Sequence, residues 1–152
     1  MKTFKLCIVL ISFGLLLSCD TDLDDISLST AEAAQLNMMV KSGNWQISKF
    51  ELDNDDKTAN YASYEFSFEE NNNLKASRTG DQQVGTWRVS NDSGDEYDSY
   101  NDVDFNIFFS TGSKLGELTN NYDVISATET EIRLDLQENP SGRTALLVFS
   151  KN

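Results

Sequence analysis

The chain has no histidine, one proline, two cysteines and only 12 Lys and Arg against 25 Asp and Glu in 152 residues, a net charge of −13. Without histidine, Ser-His-Asp and Cys-His nucleophile systems are excluded, together with the common His-based metal sites. So few bases argue against a nucleic-acid partner, whose phosphates demand a basic footprint. No Gly-rich loop of the phosphate-cradling kind occurs. No apolar run reaches the roughly 20 residues that span a bilayer core. What is present is 39% apolar and 11% aromatic sequence, enough for the core of one domain.

The apolar residues begin with an address. Lys2 and Lys5 precede the uncharged stretch Leu6–Leu17, LCIVLISFGLLL, which has the layout of a secretory signal peptide over residues 1–18. The stretch ends Leu16-Leu17-Ser18-Cys19 and resembles the lipobox of bacterial lipoproteins. The resemblance implies cleavage before Cys19 and a diacylglycerol on its thiol, with Ser18 as the small residue before the cut and Leu16 as the branched one. Cys7 would leave with the leader, so Cys19 would stand alone and no internal disulfide could form. Acyl chains contribute about 0.8 kcal/mol per buried CH₂, so two or more anchor a protein stably to a membrane.

Ten bases then face 25 acids, and Asp20-Thr21-Asp22-Leu23-Asp24-Asp25 follows the cysteine directly. Such a run reads as a self-repelling spacer, a tether over 19–28. It also resembles the surface-export signals of Bacteroidetes-type lipoproteins, which implies an outer-membrane address and exposure at the cell surface.

The remaining residues, 29–152, read as one domain. Ser29-Thr30-Ala31-Glu32 has capping-box spacing, and Ala33, Leu36, Met39 and Val40 recur at helical spacing before Gly43. These predict a short helix over about 30–41 whose apolar face packs on the domain. Strand patterns follow. Trp45, Ile47, Phe50 and Leu52 mark a first strand with a parity shift that predicts a bulge. Tyr64, Phe66 and Phe68 alternate with polar residues, and Asn71-Asn72-Asn73 turns the chain into Leu74–Ala76. Val84–Val89, Val103–Phe109, Tyr122–Ala127, Ile132–Leu136 and Ala145–Phe149 complete eight strands, with Pro140 in the last turn. Short links favour an all-β, eight-stranded antiparallel up-and-down barrel behind a short N-terminal helix; a two-sheet sandwich is the alternative.

Gly43-Asn44-Trp45 opens the first strand and Gly85-Thr86-Trp87 recurs in the fourth, within GNWQIS and GTWRVS. Together with Tyr64–Phe68, Phe105–Phe109 and Tyr122–Leu136, this ordered set resembles the small lipocalin-like domain of bacterial lipoproteins, over about residues 42–151. Glycine before tryptophan lets the chain turn tightly into a strand while the indole plugs a barrel end. Lipocalins pack a basic residue over that indole, and Lys151, Arg133 and Arg143 are the candidates. The resemblance implies a small apolar or amphipathic ligand, with Trp45, Tyr64, Phe66, Trp87, Phe105 and Ile107 as candidate contacts. Core packing is the competing role for the same side chains, since an eight-stranded barrel either fills with side chains or admits one small ligand.

Other chemistry is scarce. Asp53-Asn54-Asp55-Asp56 starts like a calcium loop, but Thr58 stands where Gly is needed and Tyr64 where the bidentate Glu belongs, so no metal is expected. Residues 91–104 hold Asp92, Asp95, Glu96, Asp98, Asp102 and Asp104 without a base. That stretch is either a solvated loop or a docking loop for an envelope protein or glycan, the alternative function. No carboxylate pair stands out for glycoside hydrolysis. The sequence therefore predicts a binding protein without cofactor, and no enzyme.

Overall fold

The computed structural model describes residues 21–91, 103–136 and 142–151, with the backbone alone for 21–30. Helix α1 spans Thr21–Val40. It already runs at Thr21, ahead of the expected Thr30, so the Ser29–Glu32 spacing does not mark its start. No Gly or Pro interrupts residues 21–40, and each added residue of a formed helix contributes one more hydrogen bond. Ala33, Leu36 and Val40 are buried and Met39 is half-buried, one helical stripe laid across β5 and β6.

The strands are β1 (Trp45–Leu52), β2 (Asp55–Asp56), β3 (Glu65–Phe68), β4 (Asn73–Arg78), β5 (Asp81–Asn91), β6 (Val103–Phe108), β7 (Asn120–Ala127), β8 (Glu131–Leu136) and β9 (Ala145–Lys151). All pairings are antiparallel; apart from β1 with β3, which passes over the short β2, they join sequence neighbours, and β1 closes the ring on β9 from Trp45↔Lys151 to Leu52↔Ala145. The result is a closed eight-stranded up-and-down barrel, with β2 as a short appendage to β1, and no open sandwich. The bulge falls where the parity shift placed it, between Ile47 and Lys49.

Local chemistry accounts for the irregular pieces. Asp53 and Asn54 have φ of 52° and 67°, the left-handed pair of a two-residue hairpin turn, so the residues that begin like a calcium loop make a turn. Asn71 and Asn72, at φ 58° and 62°, reverse the chain between β3 and β4. β1 meets β3 only at Trp45 and Gln46. Higher up, α2 (Thr58–Tyr61) fills the gap: Phe50 N donates to Thr58 Oγ1 at 2.9 Å, and Lys57 N donates to the Phe50 carbonyl at 2.8 Å.

Gly43, at φ 109°, makes the turn into β1. Gly85 does something else. It lies inside β5, and a Cβ there would collide with the Phe108 carbonyl and come within 2.7 Å of the Phe109 ring. It is a close-approach glycine, not a strand entrance.

Candidate functional site

The six candidate ligand contacts share one core. Trp45, Phe66 and Phe105 are fully buried, Tyr64 is 1% exposed, and Trp87 and Ile107 are 2% exposed. Phe68 sits among them and meets Trp87, Phe105 and Phe149 edge-on, with ring centroids 5.4, 5.5 and 5.4 Å away. Phe66 meets Phe149 in the same way at 5.4 Å, and Trp87 lies 6.1 Å from Phe105. Each edge-to-face pair is worth roughly 0.5–1.5 kcal/mol beyond its buried area. The faces of these rings are thus taken up by one another.

Both barrel ends are stoppered. At the α1 end, Trp45 Nε1 donates to the Val40 carbonyl at 2.8 Å, and the Lys151 ammonium lies 4.6 Å over the indole. Lys151 is therefore the basic residue over the tryptophan, in preference to Arg133 and Arg143. Its Nζ also donates to Ser42 Oγ, 3.0 Å away, and Ser42 Oγ donates to the Met39 carbonyl at 2.8 Å, so a cation sits at the negative end of α1. Trp87 Nε1 donates to the Glu69 carbonyl at 3.1 Å.

At the opposite end, the β6–β7 link folds inward. Phe109, Leu115 and Leu118 are fully buried, and Thr119 Oγ1 ties the neck by exchanging hydrogen bonds with the Phe109 backbone. Two acids fasten this link. Asp81 accepts from the Tyr64 hydroxyl at 2.6 Å and from Gln83 at 2.9 Å, and pairs with Lys114 and Arg78 at 3.3 Å each. Glu117 accepts from Lys57 at 2.6 Å and from the Tyr61 hydroxyl at 2.9 Å. The Tyr64 and Gln83 hydrogen bonds hold the Asp81 carboxyl well below its usual range, and those from Lys57 and Tyr61 lower Glu117. Burial pushes the Tyr122 phenol up to about 12; its hydroxyl donates to the Leu118 carbonyl at 3.0 Å.

A hollow of about 550 Å³ runs between α1 and β7, with Leu36, Met39, Val103 and Val124 as apolar lining and Glu32, Asp123 and Asp135 as acidic lining. All five consecutive residues Asp123–Ala127 line it. The β7–β8 register slips between Val124 and Ser126, which breaks the alternation of faces along this run. Asp104, Asp123 and Asp135 are successive cross-strand neighbours; Asp104 is buried, at 1% exposed, and accepts a hydrogen bond from Asn121 Nδ2 at 3.1 Å, while Asp123 and Asp135 are half-buried. Sequence reasoning missed this hollow because nothing in the strand pattern says where α1 is laid across the barrel. Cys19 and the leader lie outside the described residues, as does residues 92–102 of the acidic loop.

Among the described residues, no helix is long and apolar enough to cross a membrane, and no group of three or more Cys, Asp or Glu is placed to hold a metal. No family model and no curated protein matches the chain. Among solved structures, a lipocalin-like protein from Bacteroides uniformis is similar, at 14% identity and a TM-score of 0.42, over 74% of this chain and 98% of that one.

Proposed function

We propose that the chain is an exported envelope lipoprotein, held in the outer membrane by acyl chains on Cys19, whose barrel is a non-enzymatic binding domain that works from its outer surface. The observation that carries the binding part is the crowded interior. The candidate contact rings are packed on one another and both ends are stoppered, while the 550 Å³ hollow opens on the outside, beside α1. Absence of catalysis is supported by what the perturbed acids do. Asp81 and Glu117 are shifted toward the charged form by their hydrogen bonds and fasten loops, whereas a general acid near neutral pH needs the opposite shift. The acidic run Asp20–Asp25 supports presentation at the cell surface, as a charged spacer between lipid and barrel.

The test is fractionation combined with mass spectrometry. Wild-type protein is expected in the outer-membrane fraction, starting at an acylated Cys19, and Cys19→Ala is expected in the soluble fraction. An unmodified Cys19 would overturn the anchor, as would a Cys19→Ala variant that stays with the membrane.

A further inference from the structure

We infer that the outward face of β4, β5 and β6 binds an acidic glycan, a chain of sugar rings that carries carboxylate or sulfate groups. The inference deepens the outer-surface reading above and rests on it. Alternation sets the face. Leu74, Ala76, Gly85 and Trp87 are buried, so their neighbours along β4 and β5 point outward. No outward residue of β4 or β5 is an acid, although acids outnumber bases 25 to 12 in the chain. Two are bases, Lys75 and Arg88, and neither has an ion-pair partner among the described residues. Two large apolar side chains lie between them. Val84, 63% exposed, is paired with Lys75, and Phe108, 54% exposed, is paired with Thr86, midway between Val84 and Arg88. The two bases are about 13 Å apart along the strands, four residues at ~3.3 Å each.

A sugar chain matches such a face. The flat side of a pyranose offers C–H groups to Phe108 and Val84, and its rim offers hydroxyls to the exposed Asn73 and Thr86. Acidic groups on separate rings meet the two bases, and Arg88 presents a forked donor to a carboxylate or sulfate. The net charge of −13 does not forbid this, since charges beyond ~8 Å are largely screened at physiological ionic strength. The acids that border the face are engaged: Glu65 accepts from Asn44 at 3.0 Å, and the buried Asp104 accepts from Asn121 at 3.1 Å. A bilayer fits less well, because Asn73 and Thr86 would lose water there without gaining partners. A second copy seated by twofold symmetry would set bases against bases.

Titration calorimetry tests the site on protein purified from cells that express the full chain, kept in dodecyl maltoside. Hexagalacturonate supplies carboxylates on sugar rings and a heparin hexasaccharide supplies sulfates. Maltohexaose is the neutral sugar, and hexaglutamate carries the charge without the rings. One equivalent of at least one acidic sugar is expected to bind, about tenfold tighter than maltohexaose or hexaglutamate, and more weakly as salt is raised. Lys75→Gln/Arg88→Gln should reduce that affinity to the maltohexaose level, whereas Lys75→Arg/Arg88→Lys should keep most of it. Phe108→Ser should weaken every sugar; an unchanged Tm in each variant separates lost binding from lost fold. Hexaglutamate binding as tightly as the acidic sugars would overturn the inference, as would a preference that survives the Gln substitutions. Binding to phosphatidylglycerol vesicles in place of the sugars would overturn it in favour of a bilayer. Amide shifts separate the failures. Shifts at the outward residues of β4–β6 support the site; shifts centred on Phe66, Phe68 and Phe105 would overturn the outer-surface reading too. No binding of either acidic sugar overturns this site and leaves the anchor to its own test.

Discussion

Gly85 shows how one side chain can be dictated by its neighbours. The recurrence of Gly-x-Trp invites the same explanation at both sites, yet only Gly43 has a left-handed backbone. Gly85 has none; it is small because the Phe108 carbonyl and the Phe109 ring occupy the place of its Cβ. A backbone oxygen cannot step aside as a flexible side-chain end does. Gly85→Ala is expected to cost roughly 2–3 kcal/mol, in the range of core overpacking, and to lower Tm by about 5–10 °C in calorimetry. The motif could be seen in the sequence, but its reason could not, because Phe109 is reached only through the β5–β6 pairing. Lys151 makes the same point. Three bases could pack over Trp45, and the pairing Trp45↔Lys151 across the closing seam selects one of them.

The elements divide by how they announce themselves. Eight strands were legible because polar and apolar residues alternate along them, and the bulge in β1 was legible as a slip in that alternation. That α1 already runs at Thr21 was not, since a capping-box spacing can recur inside a helix once formed. The β6–β7 link was least legible: FSTGSKLGELTN reads as a polar connection, although Leu115 and Leu118 end up fully buried. Their separation of three residues, in a link otherwise poor in apolar residues, was the available sign.

Asp81 and Glu117 hold that link, and their lowered pKa values make its docking depend on pH. A carboxyl whose folded pKa lies below its unfolded one stabilises the fold fully above the unfolded value, near 4, and loses that contribution as pH falls further. Asp81→Asn should therefore lower Tm most at pH 6–7, and the gap to wild type should narrow as pH drops below about 4. A gap that stays constant with pH would show that charge at Asp81 is immaterial.

At the scale of the whole molecule, closure decides what the aromatic residues are for. In an open sheet, Trp45, Tyr64, Phe66, Trp87, Phe105 and Ile107 would share an exposed face. In a ring of eight strands they converge on the axis and fill it, with Phe68 among the rings of three different strands. Acrylamide is expected to quench Trp45 and Trp87 poorly, given exposures of 0% and 2%, and dodecyl maltoside below its micellar concentration should leave both the quenching and the emission unchanged. An amphiphile that shields or shifts either indole would show an interior able to open.

The sequence by itself determined the strands, their turns and the leader-and-cysteine pattern on which the proposed export and acylation rest, because these depend on residues close together along the backbone: alternation, left-handed asparagines, an apolar run before a cysteine. It also marked which side chains would be buried. Tertiary structure alone decided how those side chains meet, with rings interlocked edge to face, and that a hollow of about 550 Å³ lies between α1 and β7. The physical reason is that volume is a property of the whole ring. Whether rings from β3, β5, β6 and β9 interlock or leave a gap depends on strand register and closure, which join residues distant in sequence.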